Sequence, residues 1–112
     1  NLRPTLIGDL VFTVSMEGFL IIINKNNGNI IRSTDIFQKF SDKKRKKIKP
    51  IGFIIGINEI YLTTNNGRLL IIDILTGRTT SVLKIDNKKI SRPFVLNQNL
   101  FIIEENSIIK LD

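Results

Sequence analysis

Apolar positions along this chain gather in short runs, each closed by polar turn residues. Residues 9–15, 19–23, 59–64, 69–72, 99–104 and 108–111 are such runs, rich in Ile, Val, Thr and Phe. β-branched and aromatic residues in short runs bounded by Gly, Asn, Asp and Ser read as strands joined by tight turns. The stretches 19–23 and 69–72 are continuously apolar rather than alternating. A strand reads that way when both of its faces are covered. The more polar 29–35 reads as an outer edge strand.

The turns keep a fixed spacing. Gly18 and Gly28 stand ten residues apart, as do Gly67 and Gly77, and the intervening segments match, with Asn24 and Asp73 at the same place. A third, degenerate copy runs over 106–112 and stops at that corner. Each full copy offers four strands, A to D, and opens on a basic residue and a proline: Arg3-Pro4, Lys49-Pro50 and Arg92-Pro93. Proline suits the first residue of a strand, where a missing N–H matters least. The glycines supply positive φ at the turn ends, and Asn24 and Asp73 can cap the backbone N–H groups of their own turns. Repeats roughly 40 to 50 residues apart, built only of strands and turns, mark propeller blades. The expected fold is therefore all-β, a partial β-propeller with blades over 3–37, 49–86 and 91–112 and an inter-blade loop over 38–48. A β-sandwich is the alternative, though it would not require the matched glycines.

Composition narrows the chemistry. The chain has no His, Cys, Trp or Ala. Without His and Cys it lacks an imidazole base, a thiol nucleophile and a soft metal site, so no catalytic, metal or cofactor-binding residue is expected. Missing Ala, the best helix former, again favours strands. Ile, Asn and Lys supply 45 of the 112 residues, the usage of an AT-rich coding sequence, so scattered lysines carry less weight than clustered ones. No apolar run approaches the roughly 18 residues needed to cross a bilayer.

Charge is clustered. Residues 38–49 hold seven basic groups and one acid, a local +6 against a formal total of +7. Lys43, Lys44, Arg45, Lys46 and Lys47 form its centre. The segment joins strand D of one blade to strand A of the next, at the propeller end where B–C turns also emerge. Met16 and Glu17, Asn65 and Asn66, and Glu104, Glu105 and Asn106 are expected beside it, and this face is the candidate binding surface. Three readings stand for the basic segment: a solvated, mobile insertion; electrostatic docking to an acidic protein or anionic lipid; and nucleic-acid binding. Polybasic clusters gain about 1 kcal/mol per residue near an anionic surface. No aromatic within the run offers bases a stacking platform, which counts against nucleic acid. Glu104 and Glu105, adjacent in a strand, point to opposite faces and make a poor acid/base pair.

The copies resemble the PQQ-like propeller repeat, best at Gly67, Leu69, Ile71, Asp73, Thr76 and Gly77, and again at Gly18, Leu20, Ile22, Asn24 and Gly28. Two departures stand out: Ile23 and Ile72 replace the small residue before the corner, and the blade-ending Trp is missing. A chain without Trp lacks the tryptophan-docking pattern of quinoprotein dehydrogenases, and the resemblance is closer to the BamB family of outer-membrane assembly lipoproteins. That resemblance implies a parent of about eight blades, of which this chain supplies about two and three-quarters. It also implies a non-catalytic protein-interaction scaffold at the periplasmic face of the outer membrane, contacting the BamA barrel-assembly subunit. Lipid anchoring would come from a Cys preceding this segment, and Asp112 would lie near the natural C-terminus. A segment of a PQQ-dependent dehydrogenase, or a propeller binding anionic lipid or nucleic acid, are the alternatives. A partial propeller leaves blade faces open, so the chain is expected to self-associate.

Overall fold

The computed structural model describes residues 2–105 and 107–111; Asn1, Asn106 and Asp112, and what the sequence predicts for them, lie outside the described residues. Three antiparallel meanders follow one another. The first is β1 (Thr5–Ile7), β2 (Leu10–Val14), β3 (Phe19–Asn24) and β4 (Ile30–Asp35). A short helix α1 (Asp42–Arg45) leads into the second, β5 (Pro50–Ile55), β6 (Glu59–Thr64), β7 (Arg68–Asp73) and β8 (Thr79–Lys84). The third has β9 (Phe94–Leu96), β10 (Asn99–Glu104) and β11 (Ser107–Leu111). These are propeller blades: separate sheets in which each strand pairs only with its neighbour in sequence.

Blade two sits between the others, and β7 shows why. Leu70 and Ile72 face blade one and join Phe12, Val14, Leu20, Phe37 and Leu62 in one core. Leu69, on the opposite face, packs with Ile90 and Ile102 against blade three. Burying a side chain of this size contributes about 2 kcal/mol. The continuous apolar run of β7 is thus covered on both sides. The similar run of β3 is covered on one: Leu20 and Ile22 are buried, whereas Phe19 is 37% exposed. Its second face has no neighbouring blade within the chain.

Blades one and two repeat in detail. Both break register at the same point of the third strand, Ile22/Ile23 against β4 and Ile71/Ile72 against β8. One extra residue bulges from the outer strand each time, Ile31 and Thr80, and Thr80 Oγ1 donates to the Ile71 carbonyl at 3.1 Å. Such bulges add twist locally. Nothing in the hydrophobic pattern announces them.

Closure of each blade is also repeated. The Gly18 carbonyl accepts from Ile36 N at 2.9 Å, and that of Gly67 from Ile85 N at 2.9 Å. The chain leaving the fourth strand is thereby drawn over the turn between the second and third. Both glycines have positive φ, 96° and 77°. A Cβ at Gly67 would lie 2.1 Å from the Asp86 carbonyl oxygen, and one at Gly18 would lie 2.2 Å from the Phe37 ring. The corner residues Asn24 and Asp73 hold their turns through Oδ1, which accepts from Asn26 N and Leu75 N, each at 2.8 Å.

Polar contacts tie blade one to blade two. Thr79 Oγ1 donates to the Ile36 carbonyl at 2.7 Å, and the Arg32 guanidinium donates to the carbonyls of Ile74 and Leu75. On the outside, apolar side chains of blade one (Leu6, Phe19, Ile30) and of blade three (Leu96, Ile103, Ile108) remain exposed.

Gly67→Ala should destabilise the fold by roughly 3 kcal/mol in urea unfolding, because backbone blocks the methyl. Gly28→Ala, at φ 74° with nothing within 4 Å of its Cβ, should cost about 1 kcal/mol. The open faces should drive association, so light scattering at high concentration should give a mass above the 12.8 kDa of one chain. A monodisperse monomer would contradict this.

Candidate interaction face

The basic segment between β4 and β5 carries a helical turn and is tied to both blades. Asp42–Arg45 forms a helical turn, N-capped by Ser41, whose Oγ accepts from Lys44 N at 3.4 Å, with Asp42 in the first turn where a negative charge is favoured. Apolar anchors hold both ends. Phe37 is fully buried and meets Phe40 edge-on at 5.7 Å, and Ile48 is buried in the same core. The signal was present in the sequence as a Ser-Asp cap between two apolar anchors, but seven cations obscured it.

Arg45 differs from its neighbours. Its guanidinium grips Asp35 at the end of β4 through two bonds, Nη1 to Oδ2 at 2.7 Å and Nη2 to Oδ1 at 2.9 Å. The same Oδ1 accepts from Phe37 N at 3.0 Å. Both side chains of the pair are about one-quarter to one-third exposed, at 26% and 30%, and the paired geometry makes this a positional clamp. Arg45 therefore fastens the helix to blade one instead of facing a partner. Lys43, Lys44, Lys46 and Lys47 form no ion pair among the described residues.

Asn65 fastens the other end to blade two. Its Oδ1 accepts from Lys49 N at 2.9 Å, and its Nδ2 donates to the Lys47 carbonyl at 3.1 Å. Beside it, Lys44, Lys47 and Arg68 open onto one pocket of about 270 Å³, walled by Phe40 and Ile48 and edged by Asn66. Arg68 Nη1 donates to the carbonyls of Asn66 at 2.9 Å and Asp86 at 3.0 Å, joining this turn to the exit of β8. The structure thus brings Asn65 and Asn66 against the basic segment. Met16 and Glu17 stay in their own turn, where Ser15 Oγ accepts from Phe19 N at 3.1 Å, and no hydrogen bond among the described residues ties them to the helix.

Glu104 and Glu105 belong to the joint between blades two and three. Glu105 pairs with Lys88 at 2.9 Å, both well exposed. Glu104 stands against Asp86, a pairing invisible in sequence because only the packing of two blades makes it. Hydrogen bonding with Asp86 pushes the Glu104 carboxyl above its ordinary value, and burial adds to this. The bond with Glu104, and then the Asn87 backbone N–H, hold Asp86 below its own. Among the described residues, no group of three carboxylates is placed to hold a metal ion, and no helix is long and apolar enough to cross a membrane.

No protein-family model and no curated protein sequence matches the chain. Solved structures do. The β-propeller domain of Cps50 (Swd1) from Myceliophteria thermophila superimposes with a TM-score of 0.65 at 16% identity, covering 86% of this chain and 32% of that one. The quinohemoprotein alcohol dehydrogenase ADHIIG from Pseudomonas putida HK5 gives 0.68 at 19% identity, over 90% of this chain and 16% of that one. BamB from Moraxella catarrhalis gives 0.63 at 17% identity, over 96% and 30%. The chain therefore spans a third or less of the length of these structures. At these identities the likeness shows the fold, that of part of a β-propeller.

The carboxyl pair gives a pH prediction. Carbon-detected NMR should show Glu104 titrating above, and Asp86 below, their ordinary ranges. Glu104, whose pKa is raised, contributes stability that is complete below its unfolded value and is lost as pH rises through the folded one. Asp86 contributes above its unfolded value and loses that as pH falls through its lowered one. The joint should therefore be firmest in mild acid, and Glu104→Gln should remove the upper limb of the profile.

Proposed function

We propose that this chain is part of a non-catalytic propeller scaffold that binds an acidic surface of a protein partner through its cationic face. The observation that carries this reading is the clamped helix: Arg45 on Asp35 and Asn65 on the Lys47–Lys49 backbone hold it across two blades. Binding must otherwise include the cost of ordering a loop backbone, and a segment already held between two blades avoids that part of the cost. Lys43, Lys44, Lys46 and Lys47 present charge for fast, salt-dependent encounter, while Phe40 and Ile48 give the nearby pocket an apolar wall.

The repeat and the fold likeness to BamB support a BamB-like role, with the BamA barrel-assembly subunit as partner and the periplasmic side of the outer membrane as location. The dehydrogenase neighbour supports a second reading, that these blades belong to a PQQ-dependent enzyme whose catalytic blades lie elsewhere. Docking tryptophans in the rest of such a protein would distinguish it.

The test is affinity capture from a bacterial envelope extract with two baits: the chain, and a variant with Lys43, Lys44, Lys46 and Lys47 changed to Ser. Arg45 is kept so that the helix stays in place. The chain should retain the barrel-assembly subunit, more weakly as salt rises, and the variant should retain several-fold less. Recovery of lipid or nucleic acid alone, lost with the variant, would overturn the scaffold reading.

A further inference from the structure

We propose a second recognition site on the same cationic end, at the inner edge of the blades, where Arg3 and Arg92 bind acidic side chains of a partner segment. The inference rests on the scaffold reading above and specifies the partner's chemistry at a distinct place.

Each copy opens on a cation followed by proline, and each such pair stands at or just before the first strand of its blade. These strands, β1, β5 and β9, are edge strands of their sheets. Blade geometry brings their starts together around the propeller axis. Arg3 and Arg92, from the first and third copies, line one cavity of about 290 Å³ over the strand that begins at Pro50.

Two features of β5 shape this cavity. Its register against β6 shifts between Pro50 and Gly52, so that Ile51 bulges. Bulges of this kind re-aim side chains. At Gly52, an added Cβ would stand 2.4 Å from the Arg92 Cβ, so any larger residue would push the arginine away. Blade three can bring its leading cation onto blade two only because the chain has no side chain there.

The charge is uncompensated. Neither guanidinium has an ion-pair or hydrogen-bond partner among the described residues, and no carboxylate lines the cavity. Two residues of the same charge line this one space, so it is a positive site that an anion would neutralise. Arginine at both places suits planar, bidentate recognition of carboxylate. The remaining wall is Leu2, Ile51 and Phe53. A bare inorganic ion gains nothing from apolar surface, whereas the methylenes of a glutamate side chain do. Lys49, between the two arginines in repeat order, leads toward the helix lysines. One acidic segment can therefore anchor a glutamate in the cavity and extend over the lysine platform.

The experiment is fluorescence anisotropy with a labelled hexaglutamate peptide, against the chain, R3Q/R92Q, and the four-lysine variant, with inorganic phosphate as competitor. All three proteins are first compared by thermal unfolding, which substitutions at exposed arginines should leave unchanged. R3Q/R92Q should bind at least about tenfold more weakly, and the lysine variant should lose less. Peptide affinity unchanged in R3Q/R92Q would overturn the site, and would leave the scaffold reading in place if the lysine variant alone were impaired. Displacement by phosphate as effective as by unlabelled peptide would overturn the assignment to acidic side chains. No binding to the unaltered chain would overturn the site outright, while capture of the barrel-assembly subunit would still stand or fail by its own test.

Discussion

Leu69 on one face of β7, with Leu70 and Ile72 on the other, leaves blade two no stable position except between two neighbours. Most of the architecture depends on that constraint. A four-stranded sheet with one apolar face needs a single cover and can end there. One with two apolar faces must be stacked, and stacking of twisted sheets produces a radial array. The polar ties between blades one and two, Thr79 to Ile36 and Arg32 to the turn at Ile74 and Leu75, add direction to a contact that apolar burial alone would leave free to slide.

The same interlocking places the charged groups. Gly18 and Gly67 draw the exit of each outer strand across the neighbouring turn, so every connection between blades leaves from the end where the turns emerge. Between blades one and two this yields a cationic platform. Between blades two and three it yields the mixed cluster of Asp86, Lys88, Glu104 and Glu105. The charge contrast lies along the face from one joint to the next, which gives an approaching surface an orientation as well as an attraction.

Much of the fold was legible from the chain because its signals are local. The glycine spacing, the Asx corners and the short apolar runs each specify a few neighbouring residues, and a repeat states them twice. The bulges at Ile31 and Thr80 were not legible, since an extra residue in an outer strand changes no apolar pattern. Nor was the helix at Asp42–Arg45, where the number of cations drew attention away from the cap and the flanking Phe37 and Ile48. On the candidate face, the neighbourhood of Asn65 and Asn66 with the basic segment could be read from blade topology. The diversion of Arg45 to Asp35, and the approach of Asp86 to Glu104, depend on side-chain positions that no spacing rule contains.

The two joints are unequal. Blades one and two share an extended core that includes Phe12, Phe37, Phe53 and Leu62, whereas the fully buried set between blades two and three is Leu69, Ile90 and Ile102. In an array stabilised by its own repeats and by nearest-neighbour interfaces, the weaker interface sets where cooperativity breaks. Blade three is thus positioned to part from the others while they remain folded. The mixed-charge cluster at its base would open with it, and so would the approach of Arg92 to Gly52. A chain of repeated units acquires in this way a preferred order of opening, fixed by how few apolar side chains the second joint conceals.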